Sequence, residues 1–97
     1  MPLFAAKQAT AGTSTVSTSI SAGVTQLSIH CRTANARFAV GYGAQTASAT
    51  TGHFIAAGER LKIDIPLPTA AGTARNIAFI RDSAAVADAA IEITEIA

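Results

Sequence analysis

Apolar side chains return at every second position along this chain, in short blocks separated by small and polar residues. That period is the signature of strands that bury one face. Residues 14–20 alternate through Val16, Thr18 and Ile20, and residues 24–32 through Leu27, Ile29 and Cys31, with Ser28, His30 and Arg32 facing the other way. Ala22-Gly23 is the expected turn between them. Residues 37–42 place Phe38, Val40 and Tyr42 on one face, with Asn35 as the preceding turn. In residues 60–65, Leu61, Ile63 and Ile65 alternate with Arg60, Lys62 and Asp64. This run is expected to form a hairpin with residues 53–56 about Gly58, which tolerates the positive φ of a tight turn. Pro66 and Pro68 end the strand because neither donates to a ladder.

Residues 75–82 carry apolar side chains on both faces, Ile77 and Phe79 against Ala78 and Ile80, which predicts a central strand covered on both sides. Residues 90–96 make the last strand with Ile91 and Ile93 inward; its alternation breaks at Thr94-Glu95-Ile96, predicting a bulge, a sheet edge or an outward Ile96. Residues 43–52 hold no large apolar side chain and read as a loop or exposed edge, residues 69–74 as a small-residue connector. Residues 83–89 read as a connection whose Asp82-Ser83 start also permits one or two helical turns. The expected fold is all-β, a single small antiparallel β-sandwich, Ig-like or jelly-roll-like, of about seven short strands. An N-terminal arm, residues 1–13, precedes the sandwich domain of residues 14–97. An Ala-rich helical protein is the rejected rival, since no long stretch shows apolar spacing of three and four.

Composition narrows the function classes. Apolar residues make up 49% of the chain, but nearly half of these are alanine, so the interior is modest. Charged residues are 13%, against about 25% in soluble domains, and Ser, Thr, Ala and Gly fill the surface instead. Net charge is +1 and the Lys and Arg residues are dispersed, which argues against nucleic acid as the partner. The single Cys31 excludes an intrachain disulfide. No run approaches 18 apolar residues and residues 1–13 lack a signal-type apolar run, so the chain is expected to be soluble, with no membrane partner and no export by a standard signal.

Candidate chemistry is sparse. His30 and Cys31 are adjacent on a predicted strand, point to opposite faces and cannot grip one ion; His53 makes a site only if symmetry brings copies together. Gly12-Thr13-Ser14-Thr15-Val16 lacks the second glycine of a nucleophile elbow, and Cys31 reads as a small buried hydrophobe. Gly41-Tyr42-Gly43 lacks the third glycine and the following helix of a phosphate loop. Glu92 and Glu95 share a face on a helix but not on a strand, and read as solvated carboxylates. No catalytic residue, cofactor or metal is therefore expected, and the chain reads as a non-enzyme.

The run His53-Phe54-Ile55-Ala56-Ala57-Gly58-Glu59-Arg60-Leu61, with Ile77-Ala78-Phe79-Ile80-Arg81 and Ile91-Glu92-Ile93-Thr94-Glu95-Ile96, resembles small structural proteins of tailed-bacteriophage virions. The resemblance covers roughly the C-terminal half. It implies a capsid decoration or cement protein, made in the host cytoplasm and seated in the virion on the major capsid protein lattice, where it stabilises the head. It implies no catalytic residues. Leu3, Phe4 and Lys7 are the candidate attachment residues, the apolar pair supplying desolvated contact and Lys7 meeting acidic capsid surface. Arg32, Arg37 and Arg60 are candidates to orient neighbouring copies through carboxylates in a homo-oligomer, with a trimer favoured. Tyr42 and His53 are the remaining candidate contacts. The alternatives are a head-tail or tail component, and a receptor- or glycan-binding module displaying Tyr42, Gln45 and His53.

Overall fold

Eight strands are present among the residues described by the structure, a computed structural model covering residues 3–21, 23–65 and 74–96, with side chains from residue 6 onward. They are β1 (Leu3–Ala11), β2 (Val16–Ile20), β3 (Gln26–Arg32), β4 (Ala36–Tyr42), β5 (His53–Ile55), β6 (Arg60–Asp64), β7 (Arg75–Arg81) and β8 (Ala89–Ile96). Four antiparallel pairs, β1 with β8, β2 with β7, β3 with β6 and β4 with β5, describe one long hairpin doubled back on itself. The ribbon is then rolled so that β8 also pairs with β3 and β7 with β4. Two four-stranded sheets result, sheet A in the order β1-β8-β3-β6 and sheet B in the order β2-β7-β4-β5. This is the winding of a jelly roll and not of an immunoglobulin domain.

The eighth strand is the segment expected to be an arm. Residues 3–11 run along β8 from Leu3 opposite Ile96 to Ala11 opposite Ala89, and Ala11 is fully buried. The alternation that marks other strands is muted here because the inward positions Ala9 and Ala11 are alanines, so the main-chain ladder carries the strand. The register shift near the C-terminal end lies in β1, between Leu3 and Ala6, while β8 continues as a regular central strand.

The expected hairpin about Gly58 is also absent. β5 pairs with β4 in sheet B and β6 with β3 in sheet A, so residues 56–59 form an arch between the sheets. Gly58 does take a positive φ, 82°. Its N–H donates to Cys31 O at 2.8 Å, and Ala57 N–H donates to Asn35 Oδ1 at 2.8 Å. The left-handed residue of the turn before β4 is Thr33, at φ 72°, and Asn35 buttresses the arch instead. Gly23 sits at φ 84° as a turn residue should. Residues 83–88 form turns without a helix: Asp82 accepts Ala84 N–H on its side chain and Ala85 N–H on its carbonyl. Pro66, Pro68 and the connector at residues 69–73 lie outside the described residues.

Between the sheets, Leu27, Ile29 and Cys31 of β3 and Ile91 and Ile93 of β8 meet Phe38 of β4 and Ile77 and Phe79 of β7, all nearly or fully buried. Phe38 and Phe79 pack at 6.0 Å between centroids with a 43° tilt. Each large side chain so enclosed contributes roughly 1.5–3 kcal/mol. β7 is central and covered on both sides, as its pattern predicts: Ala78 points away from the core and yet is fully buried. Residues 43–52 lie over that outer face. Ala47 N–H donates to Thr15 Oγ at 3.0 Å, Ser83 N–H to Ala49 O at 3.1 Å, and the Gln45 side chain lies above Gly41. Ala39, Gly41 and Ala78 are small because this loop crosses them.

Candidate functional site

Sheet B is roofed by its own loop, whereas the outer face of sheet A is open. The ladder registers align two cross-strand rows on that face: Gln8, Glu92, His30 and Arg60 in one, Ala6, Thr94, Ser28 and Lys62 in the next. The second row has short side chains over its first three strands and the first row stands taller. Together they enclose a hollow of about 230 Å³, floored by Ala6, Ser28 and Thr94 and rimmed by Gln8, His30, Arg60 and Glu92.

The rim is electrostatically ordered. Glu92 lies 3.2 Å from His30 Nδ1 and 3.3 Å from Arg32 Nη1. The hydrogen bond with His30, helped by the Arg32 charge, holds its carboxyl below the ordinary Glu value. Arg60 and Lys62 have no ion-pair partner among the described residues. The face therefore offers Glu92 with its charge partnered, Asp64 accepting from Gln26 Nε2 at 2.7 Å, two cations without an ion-pair partner among the described residues, and several neutral donors and acceptors.

The sequence-derived candidates separate onto different surfaces. Arg32 and Arg60 fall on this open face, Arg32 being paired with Glu92. Lys7 is committed internally: its ammonium donates to Ser19 O and lies 3.3 Å from Glu95. Arg37 is also committed, donating from Nε to Asp82 Oδ1 and from Nη1 to Gly52 O, each at 2.8 Å, and lying 5.2 Å above the Phe54 ring. Arg37 thus pins the roofing loop. Tyr42 ends β4 on sheet B, 38% exposed, and His53 on β5 packs its ring 5.3 Å from Phe38. Neither lines the hollow. The side chains of Leu3 and Phe4 lie outside the described ones.

Two charged groups outside the candidate set, Arg75 and Glu95, are structural. Arg75 is 3% exposed and donates from Nη1 to Val24 O at 2.6 Å and from Nη2 to Ser21 O at 2.7 Å. Glu95 is 1% exposed and accepts from both Ser21 N–H and Ser21 Oγ at 2.8 Å, so it is not a solvated carboxylate. Burial pushes its carboxyl up, but those bonds and the Lys7 ammonium outweigh burial and hold it below the ordinary Glu value. The signal was in the strand parity: Arg75 stands two before Ile77, and Glu95 two after Ile93, on the inward set.

Other groups are equally quiet. Burial, with the nearby Glu59 charge, raises the Cys31 thiol, whose Sγ lies 3.0 Å from Ala34 O. The Arg37 hydrogen bond, joined by the Ala84 N–H, lowers Asp82. No group of three or more His, Cys, Asp or Glu placed to hold a metal ion occurs among the described residues. Among the described residues, no helix is long and apolar enough to cross a membrane. Comparison of the chain with protein-family models, with curated proteins and with solved structures gives no match.

Proposed function

We propose that this chain is a non-enzymatic virion structural protein, a capsid decoration protein that seats the outer face of sheet A on the major capsid protein lattice and stabilises the head. The observation that carries the reading is the asymmetry between the two sheets. One face is closed by residues 43–52, and the other presents an open hollow with a polar rim. A jelly roll with one free face is suited to being laid on a surface in many copies. Repetition then converts weak single contacts into firm attachment through effective concentration.

The charged groups on this face suit binding: Glu92 is held ionised by His30 and Arg32, so the face keeps a fixed charge pattern for a partner to meet. The partner surface that fits this face is polar and acidic, meeting Lys62 and Arg60 while a protruding loop enters the hollow over Ser28 and Thr94. A glycan site is less well supported, because the single Tyr lies on sheet B, away from the hollow.

The test is saturable co-sedimentation with tailed-phage capsid particles assembled without this chain, together with the heat resistance of the loaded particles. Binding that raises heat resistance supports the proposal. A chain that ignores capsids and binds tails or immobilised glycans contradicts it.

A further inference from the structure

We infer that the free edge of β6 binds a second copy of this chain, strand against strand, about a two-fold axis through Lys62. β6 is the last strand of sheet A and pairs only with β3 among the described residues. Ile65 N–H donates to Thr25 O and Glu59 O accepts from Cys31 N–H. By the alternation of an antiparallel ladder, the odd-numbered residues turn their main-chain groups toward β3. Among the described residues, Arg60, Lys62 and Asp64 therefore present N–H and C=O groups without a main-chain partner at the edge, the template on which a further strand adds.

The side chains select the same chain as that strand. Read antiparallel to itself about its centre, Arg60-Leu61-Lys62-Ile63-Asp64 places Arg60 opposite the second copy's Asp64, and Asp64 opposite its Arg60. Within one copy these residues are four apart on a strand, roughly 13 Å, and do not meet. On the inner face Leu61 falls opposite the second copy's Ile63 in the closely spaced, non-hydrogen-bonded position. Leu61 and Ile63 are only partly buried in one copy, and with Phe38, Val40 and Phe54 they line an opening of about 370 Å³ between the sheets. Pairing covers that opening from both sides. A slip of two residues in either direction leaves only two of the three edge residues paired, so register is set by the strand itself. The one opposed like pair is Lys62 with its own symmetry mate, at the centre.

The contact is small, so the dimer forms at about micromolar or higher concentration and becomes dominant where copies are crowded. It does not rest on the capsid reading and is tested without particles. Sedimentation velocity from about 10 μM to about 1 mM should show a concentration-dependent dimer. Asp64→Arg or Arg60→Asp alone should weaken it about tenfold or more, and the double variant Arg60→Asp/Asp64→Arg should restore it to near wild type. Lys62→Thr, which removes the central repulsion, should tighten it. Far-UV circular dichroism checks that each variant is folded. A wild type monomeric throughout the range, a trimer, a dimer indifferent to the single reversals, or a double variant that fails to recover would overturn the inference.

Discussion

Glu95 on β8 accepts two hydrogen bonds of 2.8 Å from Ser21, a residue 74 positions earlier in the chain that follows β2 in the opposite sheet. Arg75 grips the same turn from the other sheet by donating to Ser21 O and Val24 O. The crossing between β2 and β3 is thus clamped by one buried acid, held by the Ser21 N–H and hydroxyl, and one buried base, held by main-chain carbonyls. Replacing Glu95 with Ala leaves the Ser21 N–H and hydroxyl without their acceptor. Bonds to a charged group are worth about 1.5–3 kcal/mol, so the variant should lose about 2–4 kcal/mol. Thermal melting should show a midpoint lower by about 10 °C or more. A shift of a degree or two would mean that the clamp contributes nothing.

Acid should expose the same dependence. Asp82, Glu92 and Glu95 have native pKa values below their ordinary 3.8, 4.5 and 4.5. The unfolded chain binds protons first as pH falls, so the stabilisation is fully present above about pH 5 and is lost as pH drops through these values toward the native ones. Urea midpoints should hold on this account until about pH 5 and fall steeply by about pH 3. Glu95→Gln should flatten that fall. A wild-type midpoint unchanged at pH 3 would contradict the assignment.

Removing residues 1–13 should unfold the domain instead of freeing an appendage. The truncation strips β1 from β8, exposes a central strand as an edge and removes the fully buried Ala11. Circular dichroism should show loss of a cooperative melt, and the truncated chain should aggregate. A truncated domain that melts like the full chain would show β1 to be dispensable.

Two glycines, Gly52 in the roofing loop and Gly41 beneath it, should respond differently. A Cβ at Gly52 would lie 3.1 Å from Ser48 O and 3.2 Å from Phe38 O, main-chain atoms of the loop and of β4. At Gly41 the three nearest atoms all belong to the end of the Gln45 side chain, from 3.1 Å, which can swing away. Gly52→Ala should therefore cost about 1–3 kcal/mol and Gly41→Ala little, by chemical denaturation. Equal costs would remove the loop's close approach from the account.

Much of the sandwich was legible because apolar residues, most of them large, mark the inward positions of β3, β7 and β8, and period two needs no tertiary knowledge. β1 was not, since alanines at its inward positions give no alternation, and its place depends on a ladder with residues at the other end of the chain. The arch at residues 56–59 looks locally like a hairpin: Gly58 fits either, and only the partners β3 and β4 separate the two. Arg32 and Arg60 could be guessed as surface cations, but their grouping with Gln8, His30 and Glu92 is a property of register across four strands. The internal partners of Lys7 and Arg37 were illegible for the complementary reason. Their acidic partners, Glu95 and Asp82, are 88 and 45 residues away and nothing local announces them.

The central claim, that the open face of sheet A docks on a capsid lattice, is tested most directly by co-sedimentation of wild type and of Ser28→Tyr with capsid particles assembled without this chain. Tyr suits a strand and would fill the hollow while leaving the core untouched. Wild type should bind saturably, Ser28→Tyr should bind about tenfold or more weakly with an unchanged melting curve, and Val86→Asp, at a turn residue 97% exposed, should bind like wild type. Equal binding by Ser28→Tyr would place the docking surface elsewhere, and absence of wild-type binding would contradict the decoration role itself.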